Sequence, residues 1–264
     1  MASQPCRWSV VIPAFNEERR LPPYLEGIAA YFDGHGESYE VLVVDDGSTD
    51  GTSERVRELA RAHPEIQVER FDENHGKGYA VRSGIVNARG RLVLFQDADG
   101  ATPIDQLEVL EKALADGADV AIGSRNVEAD GVRVTARFYR RVMGRAFHAL
   151  VGALTVRGIA DTQCGFKLFR SEVAHDLFSR MRMRGFSFDV EVLLMAQRRG
   201  YRILEKAVNW THQPGSRVNL VVDSLKMAGD LFVIRSHAMR GHYDQPHVAQ
   251  LYSTPASSIE TVAH

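Results

Sequence analysis

The stretch YEVLVVDDGSTDGTSERVRELARA, Tyr39–Ala62, contains a strand, a turn and a helix in one run of sequence. Its first part, Tyr39–Asp46, is an apolar, β-branched run without a clean polar alternation, which is typical of a strand buried on both faces. A turn rich in Asp, Gly, Ser and Thr follows, and a helical pattern then covers Thr52–Ala62. The unit favours a parallel sheet, because a helix is the usual crossover between parallel strands.

The same pattern recurs on both sides of this unit. Short apolar runs predict further strands at Trp8–Pro13, Ile66–Phe71, Arg91–Asp97 and Ala118–Ser124, with helices at Pro23–Phe32, Gly78–Ala88 and Pro103–Ala115. This alternation predicts an α/β fold with a mostly parallel central sheet and helices on both faces. Ligands of such sheets bind at the carboxyl ends of the strands, so the candidate site is expected there.

The composition fits one globular domain over residues 1–243. Of the 264 residues, 44% are hydrophobic and 25% are charged, which excludes a disordered or collagen-like chain. The net charge of -2 gives no general attraction to nucleic acid. Neither Cys6 nor Cys164 has metal-ligand spacing, so a reducing, cytoplasmic compartment is expected. No signal peptide is evident, and no run approaches the ~18 apolar residues that cross a bilayer.

Two carboxylates end the fourth predicted strand, in the motif QDADG at Gln96–Gly100. Residues two apart in an extended chain face the same side, so Asp97 and Asp99 are expected to point into one space. Two anions placed together cost free energy unless a cation offsets them. Because oxygen ligands at a strand end suit hard divalent ions, the motif predicts a Mg²⁺ or Mn²⁺ site.

The second strand also ends in carboxylates, Asp45 and Asp46, before Gly47-Ser48-Thr49-Asp50. These residue types serve equally well as a turn with a helix cap, so ligand binding and a structural role both remain open for them. Two familiar nucleotide sites are excluded, since the first strand is not followed by G-x-G-x-x-G and no G-x-x-x-x-G-K-[ST] is present.

Five motifs in order resemble those of family 2 glycosyltransferases with the GT-A fold. They are VVIPAFNEE (Val10–Glu18), VVDDGSTDGT (Val43–Thr52), NHGKGYAVRSG (Asn74–Gly84), QDADG and GSR (Gly123–Arg125). Three later segments, DTQCGFKLF (Asp161–Phe169), FSFDVE (Phe186–Glu191) and AVNWTHQPGSRVN (Ala207–Asn219), resemble dolichyl-phosphate β-glucosyltransferases. The resemblance implies inverting transfer of glucose from UDP-glucose to a polyprenyl phosphate of the dolichyl type.

Alternatives to this activity remain open. The related mannosyltransferases carry a longer D-A-D-L-Q stretch, whereas Gly100-Ala101-Thr102 follows here, which favours glucose over mannose from GDP-mannose. A second alternative keeps the fold and places the sugar on a saccharide hydroxyl. A third is a non-catalytic protein that binds a nucleotide sugar, which the intact Asp97 and Asp99 argue against.

The resemblance also implies roles for the donor-side residues. Those expected at the nucleoside are Pro13, Phe15, Glu17, Asp45 and Asp46. Lys77 is expected at the donor's phosphates, and Arg125 at a phosphate of either the donor or the acceptor. Asp97 and Asp99 are expected to hold the metal, and Asp99, Arg125 and Asp189 to take part in the transfer. Four of these residues have a structural alternative: Phe15 as a core aromatic, Glu17 as a helix N-terminal charge, Lys77 as a surface lysine and Arg125 as an Asp-paired arginine.

On the acceptor side, Lys167, Arg137 and Arg141 are expected to bind the lipid phosphate. A phosphate group is already anionic near neutral pH, so a general base is dispensable. Asp189 and Glu191 are then expected to orient the acceptor or the donor sugar. The alternative for Asp189 is a helix cap before the apolar run Val190–Ala196.

The second half of the chain also contains candidate membrane-contacting segments. Residues 131–158 contain six arginines and no acidic residue, interleaved with apolar side chains, a pattern typical of an interfacial amphipathic helix. The alternative is a helix packed on its own domain with a solvated basic face. A C-terminal helix is predicted over 221–240 and a disordered tail over 244–264. Peripheral attachment to the cytoplasmic face of a membrane is therefore expected.

Overall fold

A computed structural model of the chain describes residues 6–127, 129, 132–135, 155–213 and 220–244. The strands are β1 (Trp8–Ala14), β2 (Tyr39–Asp45), β3 (Ile66–Arg70), β4 (Leu92–Gln96), β5 (Val120–Ser124), β6 (Val134–Thr135), β7 (Phe166–Arg170), β8 (Ile203–Ala207) and β9 (Trp210–Thr211). The helices are α1 (Leu21–His35), α2 (Thr52–Ala60), α3 (Lys77–Asn87), α4 (Leu107–Ala115), α5 (Ser171–Arg180), α6 (Phe188–Arg198) and α7 (Leu220–Met239).

Seven strands form one sheet in the order β3-β2-β1-β4-β7-β5-β8. All neighbouring pairs in it are parallel except those of β7, which runs antiparallel to both β4 and β5. The predicted α/β class and mostly parallel sheet are therefore confirmed. The strand β7 was not predicted, because FKLFR is short and mixes charge with apolar residues.

The sheet is buried on both faces, as its apolar runs predict. In β1, Val10 and Ile12 pack into one core with α1, α2 and α4, whereas Val11 packs into a second core with α3, α5, α6 and α7. Alternate side chains of a strand point to opposite faces, so one run of apolar residues supplies both cores. The carboxyl ends of β1, β2 and β4 are thereby held at one edge between the two layers.

The strand β7 brings a second chain segment to this edge. Its register pairs Phe95 with Lys167 and Gln96 with Phe166, so β7 begins where β4 ends. The backbone N–H of Asp97 donates to the carbonyl of Gly165 at 3.0 Å, which extends the pairing by one step. Gly165 therefore lies beside the first carboxylate of the predicted metal motif, and Lys167 lies two residues further along β7, opposite Phe95.

Some predicted boundaries differ from the observed ones. Pro103 precedes a single 3₁₀ turn, Ile104–Gln106, and α4 begins only at Leu107. Within the predicted basic helix, Val134–Thr135 form a strand paired with β9, and residues 155–158 are not helical.

Arg137 and Arg141, like the tail after Asp244, lie outside the described residues. No helix in the described part of the chain is long and apolar enough to span a membrane.

Candidate active site

A row of alternating charges lies at the carboxyl end of β4. The ammonium of Lys77, the first residue of α3, is 2.6 Å from Oδ1 of Asp97. The ammonium of Lys167 donates to Oδ1 of Asp189 at 2.5 Å and to the carbonyl of Cys164 at 2.6 Å. The charge of Asp189 also acts on Lys77, which links the two pairs into one electrostatic unit.

The pKa of Lys77 reflects this environment. Burial disfavours its charge, but the carboxylates of Asp97 and Asp189 outweigh burial and raise its pKa above the ordinary value. The aromatic rings of Phe95, Phe186 and Phe188 surround the ammonium at 5.4 to 6.0 Å from their centroids. Lys77 is therefore held as a cation whose side chain is still 23% exposed, rather than as a solvated surface lysine.

Three glycines make this arrangement possible. A Cβ on Gly165 would lie 2.0 Å from Oδ2 of Asp97. A Cβ on Gly76, whose φ is +101°, would lie 2.6 Å from the carbonyl of Arg184, and one on Gly78 would lie 2.6 Å from that of Met183. The backbone before α6 therefore packs directly against the first turn of α3. This contact fixes Lys77, because the residue stands between two of these glycines.

Asp99 lies beside Asp97, as the D-x-D spacing predicts. Burial first, and then the negative charge of Asp97, raise the pKa of the Asp99 carboxyl. Its Oδ1 accepts the N–H of Ala101 at 3.0 Å. Two carboxylates that disfavour each other's ionisation are a suitable donor set for a divalent cation.

No group of three or more His, Cys, Asp and Glu side chains converges on a possible metal position among the described residues. A Mg²⁺ ion in proteins is commonly held by one or two carboxylates, with substrate phosphates and water as the other ligands. The pair of Asp97 and Asp99 fits that kind of site, and the metal remains a prediction.

The carboxylates of β2 have structural partners. Asp45 is fully buried, accepts the N–H of Ser48 at 2.8 Å and also accepts the hydroxyl of Ser53. Asp46 accepts the N–H groups of His75 and Gly76 at 2.7 and 2.9 Å. Both side chains therefore stabilise turns, which is the structural role that the sequence left open for them. Their predicted contact with the base or ribose stays a prediction, and Asp46 already uses both oxygens.

The segment after β1 is bound to the turn after β2. Asn16, at a φ of +57°, accepts the N–H of Thr49 at 2.7 Å on its side-chain oxygen, and its own N–H donates to the hydroxyl of Ser48 at 2.8 Å. Pro13 is buried at the end of β1, and Phe15 is half-buried. The motif residues are thus clustered at the expected edge of the sheet, although Asn16 itself was missed.

Glu17 is paired within its own turn. Both of its carboxylate oxygens accept the guanidinium of Arg20, with Nε at 2.7 Å from Oε2. Arg20 also lies close enough to Asp99 for that charge to raise its pKa, after the larger effect of its hydrogen bond with Glu17. Sequence reasoning missed Arg20, whose only signal was its position four residues after Asn16.

Arg125, after β5, is paired with Asp161. Nε and Nη2 donate to the two carboxylate oxygens at 2.6 and 2.8 Å, and the backbone N–H of Arg125 donates to Oδ2 at 3.0 Å. Asp161 is positioned in turn by its own N–H, which donates to Glu205 at 2.7 Å. The Asp-paired alternative is therefore observed. Contact with a phosphate remains a prediction for the other N–H groups of this guanidinium.

Asp189 is not a helix cap. Helix α6 begins at Phe188, preceded by Ser187, and Asp189 lies inside its first turn with its carboxylate on Lys167. Burial raises the pKa of Asp189 although Lys167 and Lys77 both lower it. Lys167 itself is only 1% exposed, which disfavours the predicted direct contact with the acceptor. Its contacts instead hold Asp189 in the site.

Glu191, two residues after Asp189, is fully buried. Its carboxylate accepts the N–H of Met183 at 2.8 Å, the N–H of Arg182 at 3.0 Å and the hydroxyl of Tyr243 at 2.8 Å. With its oxygens inside the core, Glu191 holds the segment before α6 in place. The orienting role stays a prediction for both Asp189 and Glu191.

Residues 9–178 match the model of the family described as Glycosyl transferase family 2. The chain is 42% identical over 242 residues to a dolichyl-phosphate beta-glucosyltransferase of Drosophila melanogaster, covering 86% of this chain and 73% of that protein. It is 39% identical over 247 residues to the Homo sapiens protein of the same name, covering 88% of this chain and 76% of that one.

Solved structures share the fold. The glucosyl-3-phosphoglycerate synthase of Mycobacterium tuberculosis in complex with Mn²⁺, UDP-glucose and phosphoglyceric acid superposes with a TM-score of 0.62. It is 20% identical and covers 92% of this chain and 81% of its own. At that identity the likeness concerns the fold alone, and it confirms the predicted GT-A arrangement.

Proposed function

This chain is a member of glycosyl transferase family 2 with the GT-A fold, and on that premise we propose that it moves glucose from UDP-glucose to a dolichyl-type polyprenyl phosphate. The observation that carries the proposal is the row of Asp97, Lys77, Asp189 and Lys167 at the carboxyl end of β4. The sequence relatives named dolichyl-phosphate beta-glucosyltransferase support the sugar and the acceptor class.

A divalent cation would be held by Asp97 and Asp99. When bound there, Mg²⁺ or Mn²⁺ stabilises the negative charge that develops on the departing diphosphate. The raised pKa of Asp99 supports this placement, because a nearby cation would remove the repulsion that Asp97 exerts. Mn²⁺ accompanies UDP-glucose in the structurally similar synthase, which is consistent with the same choice here.

Lys77 is suited to the donor's phosphates. It stands at the first position of α3, and the N-terminus of a helix favours bound anions. Its ammonium is a compact, mobile point charge that can pair with a phosphate oxygen as it now pairs with Asp97. Arg125 would add a second positive charge, and its guanidinium carbon lies 5.5 Å from the ring centroid of Trp210.

The acceptor needs orientation more than activation. One phosphate oxygen forms the new bond to the anomeric carbon as the bond from that carbon to the diphosphate breaks, and UDP leaves with that electron pair. Because the attacking oxygen is already anionic, no proton has to be removed. Asp189, fixed by Lys167 at 2.5 Å, would orient the sugar for displacement with inversion.

A membrane surface is the proposed location of the acceptor. Helix α7 leaves Phe232, Val233 and Met239 exposed by 60%, 42% and 72%, with exposed Arg235 and Arg240 close by in sequence. Apolar and cationic side chains together suit the surface of an anionic bilayer.

Reversing the charges of Arg137 and Arg141 is expected to weaken sedimentation with anionic liposomes and to leave UDP binding unchanged. Unchanged sedimentation would contradict a lipid role for these two arginines.

The proposal is tested by transfer of labelled glucose from UDP-glucose to a short polyprenyl phosphate, with and without Mg²⁺ or Mn²⁺. Metal-dependent labelling of the lipid is expected. Labelling only from GDP-mannose would overturn the choice of donor. Labelling of a saccharide instead of the lipid would overturn the acceptor, and Asp189→Asn would then nearly abolish activity, because a hydroxyl needs a base.

A further inference from the structure

We propose that Tyr243, beyond the C-terminal helix, is a positioning residue that holds Lys77 in the site through Glu191 and the segment 181–185. The inference rests on the proposed function in treating Lys77 as a ligand of the donor's phosphates. Its starting observation is that Tyr243 is fully buried although it lies after the last helix, in a turn near the end of the described residues.

The first step is the contact between Tyr243 and Glu191. The tyrosine hydroxyl donates to Oε1 of Glu191 at 2.8 Å. Two further contacts fix the turn that carries it: Arg199 donates to the carbonyl of Tyr243 at 3.2 Å, and Arg198 donates to Asp244 at 2.7 Å. The chain after α7 is therefore tied to α6 by a side-chain hydrogen bond, a backbone contact and an ion pair.

The second step leads from Glu191 to the segment before α6. The buried carboxylate accepts the N–H groups of Arg182 and Met183, so it fixes two successive peptide units. A buried carboxylate depends on all of its donors, because each lost donor leaves charge without compensation. The Tyr243 hydroxyl is the donor that does not come from the segment itself.

The third step reaches Lys77. The N–H of Tyr79 donates to the carbonyl of Arg184 at 3.2 Å. The carbonyls of Met183 and Arg184 leave no room for a Cβ on Gly78 and Gly76, the two neighbours of Lys77. A shift of this segment therefore moves the start of α3 and with it the ammonium that faces Asp97.

The chain offers a matched control for the hydroxyl. Tyr201, which is partly buried, donates to Oδ2 of buried Asp176 at 2.9 Å, so Tyr201→Phe deletes the same group from a second tyrosine–carboxylate contact. Asp176 also accepts hydrogen bonds from Arg180 and Arg199, and none of Arg180, Arg199 and Tyr201 belongs to the segment 181–185, whose carbonyls face Gly76 and Gly78. Both variants keep the aromatic ring and are expected to lose a similar amount of stability.

The first experiment measures hydrogen exchange of backbone amides in the full chain without ligand. Tyr243→Phe is expected to speed exchange at 182–184 and at 76–80 by about tenfold, the effect of one lost hydrogen bond, whereas Tyr201→Phe leaves both segments unchanged. Equal exchange at 76–80 in the two variants would overturn the inference.

The second experiment compares binding of UDP and of uridine. Tyr243→Phe is expected to weaken UDP binding about five- to tenfold and to leave uridine binding unchanged, because only UDP presents phosphates to Lys77. In a Lys77→Met background the same change is expected to have no further effect. Equal weakening for UDP and uridine would mean a general structural defect and would overturn the inference. Failure of the wild-type chain to bind UDP would instead contradict the proposed function, and the exchange experiment would still decide the role of Tyr243.

Discussion

Two charged clusters in this chain differ in the balance between their acids and their cations. Around Asp176, on α5, a single carboxylate accepts hydrogen bonds from Arg180, Arg199 and Tyr201. Burial alone would raise the pKa of Asp176, but these partners outweigh burial and lower it. At the carboxyl end of β4, burial raises the pKa values of Asp99 and Asp189, and their cationic neighbours do not reverse the shift.

This difference in pKa shift distinguishes an acid with a structural role from acids that are suited to bind a ligand. Guanidinium groups stabilise the charged form of the Asp176 carboxylate. This ion pairing stabilises the packing of α5 against α6, and it satisfies the carboxylate without a ligand. At the site, three carboxylates share two lysines, which leaves excess negative charge at a partly exposed position. Such an imbalance costs stability and is typical of a functional site.

The largest expected effect is that of replacing Asp99, one of the site carboxylates, on the transfer rate. Asp99→Asn is expected to lower the transfer rate at least about 100-fold, because one of two proposed metal ligands is lost. Stability should stay equal or rise, since the substitution removes the repulsion between Asp99 and Asp97. The measurement is initial rate together with urea unfolding. Asp105→Asn, the same change at an exposed position nearby, is the control, and a normal rate in Asp99→Asn would contradict the metal role.

Replacing Asp176 is expected to lower stability and to leave the transfer rate unchanged, the opposite of the result at Asp99. Asp176→Asn should lower the free energy of unfolding by about 3 kcal/mol, because it leaves Arg180 and Arg199 partly buried without their anion. The transfer rate per folded molecule should not change. Urea unfolding and rates measured on the same sample test both halves of the prediction. A rate loss as large as that of Asp99→Asn would show that the two clusters are not separable.

The smallest effect is on the pH dependence of stability. The lowered pKa of Asp176 means that its stabilising contribution is present above the ordinary aspartate range and is lost as the pH falls through the folded-state value. The raised pKa of Asp99 means the reverse: its ionised form destabilises the folded chain, and protonation relieves this as the pH falls. From neutral pH to about pH 4, the gain of Asp99→Asn should therefore shrink, whereas the deficit of Asp176→Asn should stay constant there and shrink only below about pH 4. Differences that stay constant across both pH ranges would contradict these shifts.

The sequence predicted much of this arrangement. The apolar runs and helical patterns located five strands of the sheet and the helices between them, since both report burial along a single segment. The D-x-D motif was rightly placed at a strand end, and Lys77 and Asp189 lie beside it. The antiparallel strand β7 and the identity of Asp161 as the partner of Arg125 could not be predicted, because each depends on the register of segments far apart in sequence.

What the sequence by itself determined is therefore the layered fold and the edge of the sheet where the carboxylates gather. Only the tertiary structure decided which of those acids became structural and which stayed in the site. Asp46 accepts backbone N–H groups of another loop on both oxygens, Glu191 accepts the hydroxyl of Tyr243, and Asp189 is paired with a buried lysine on β7. A side chain's role depends on the donors and charges that packing brings to it, and periodicity along the chain carries no information about those partners.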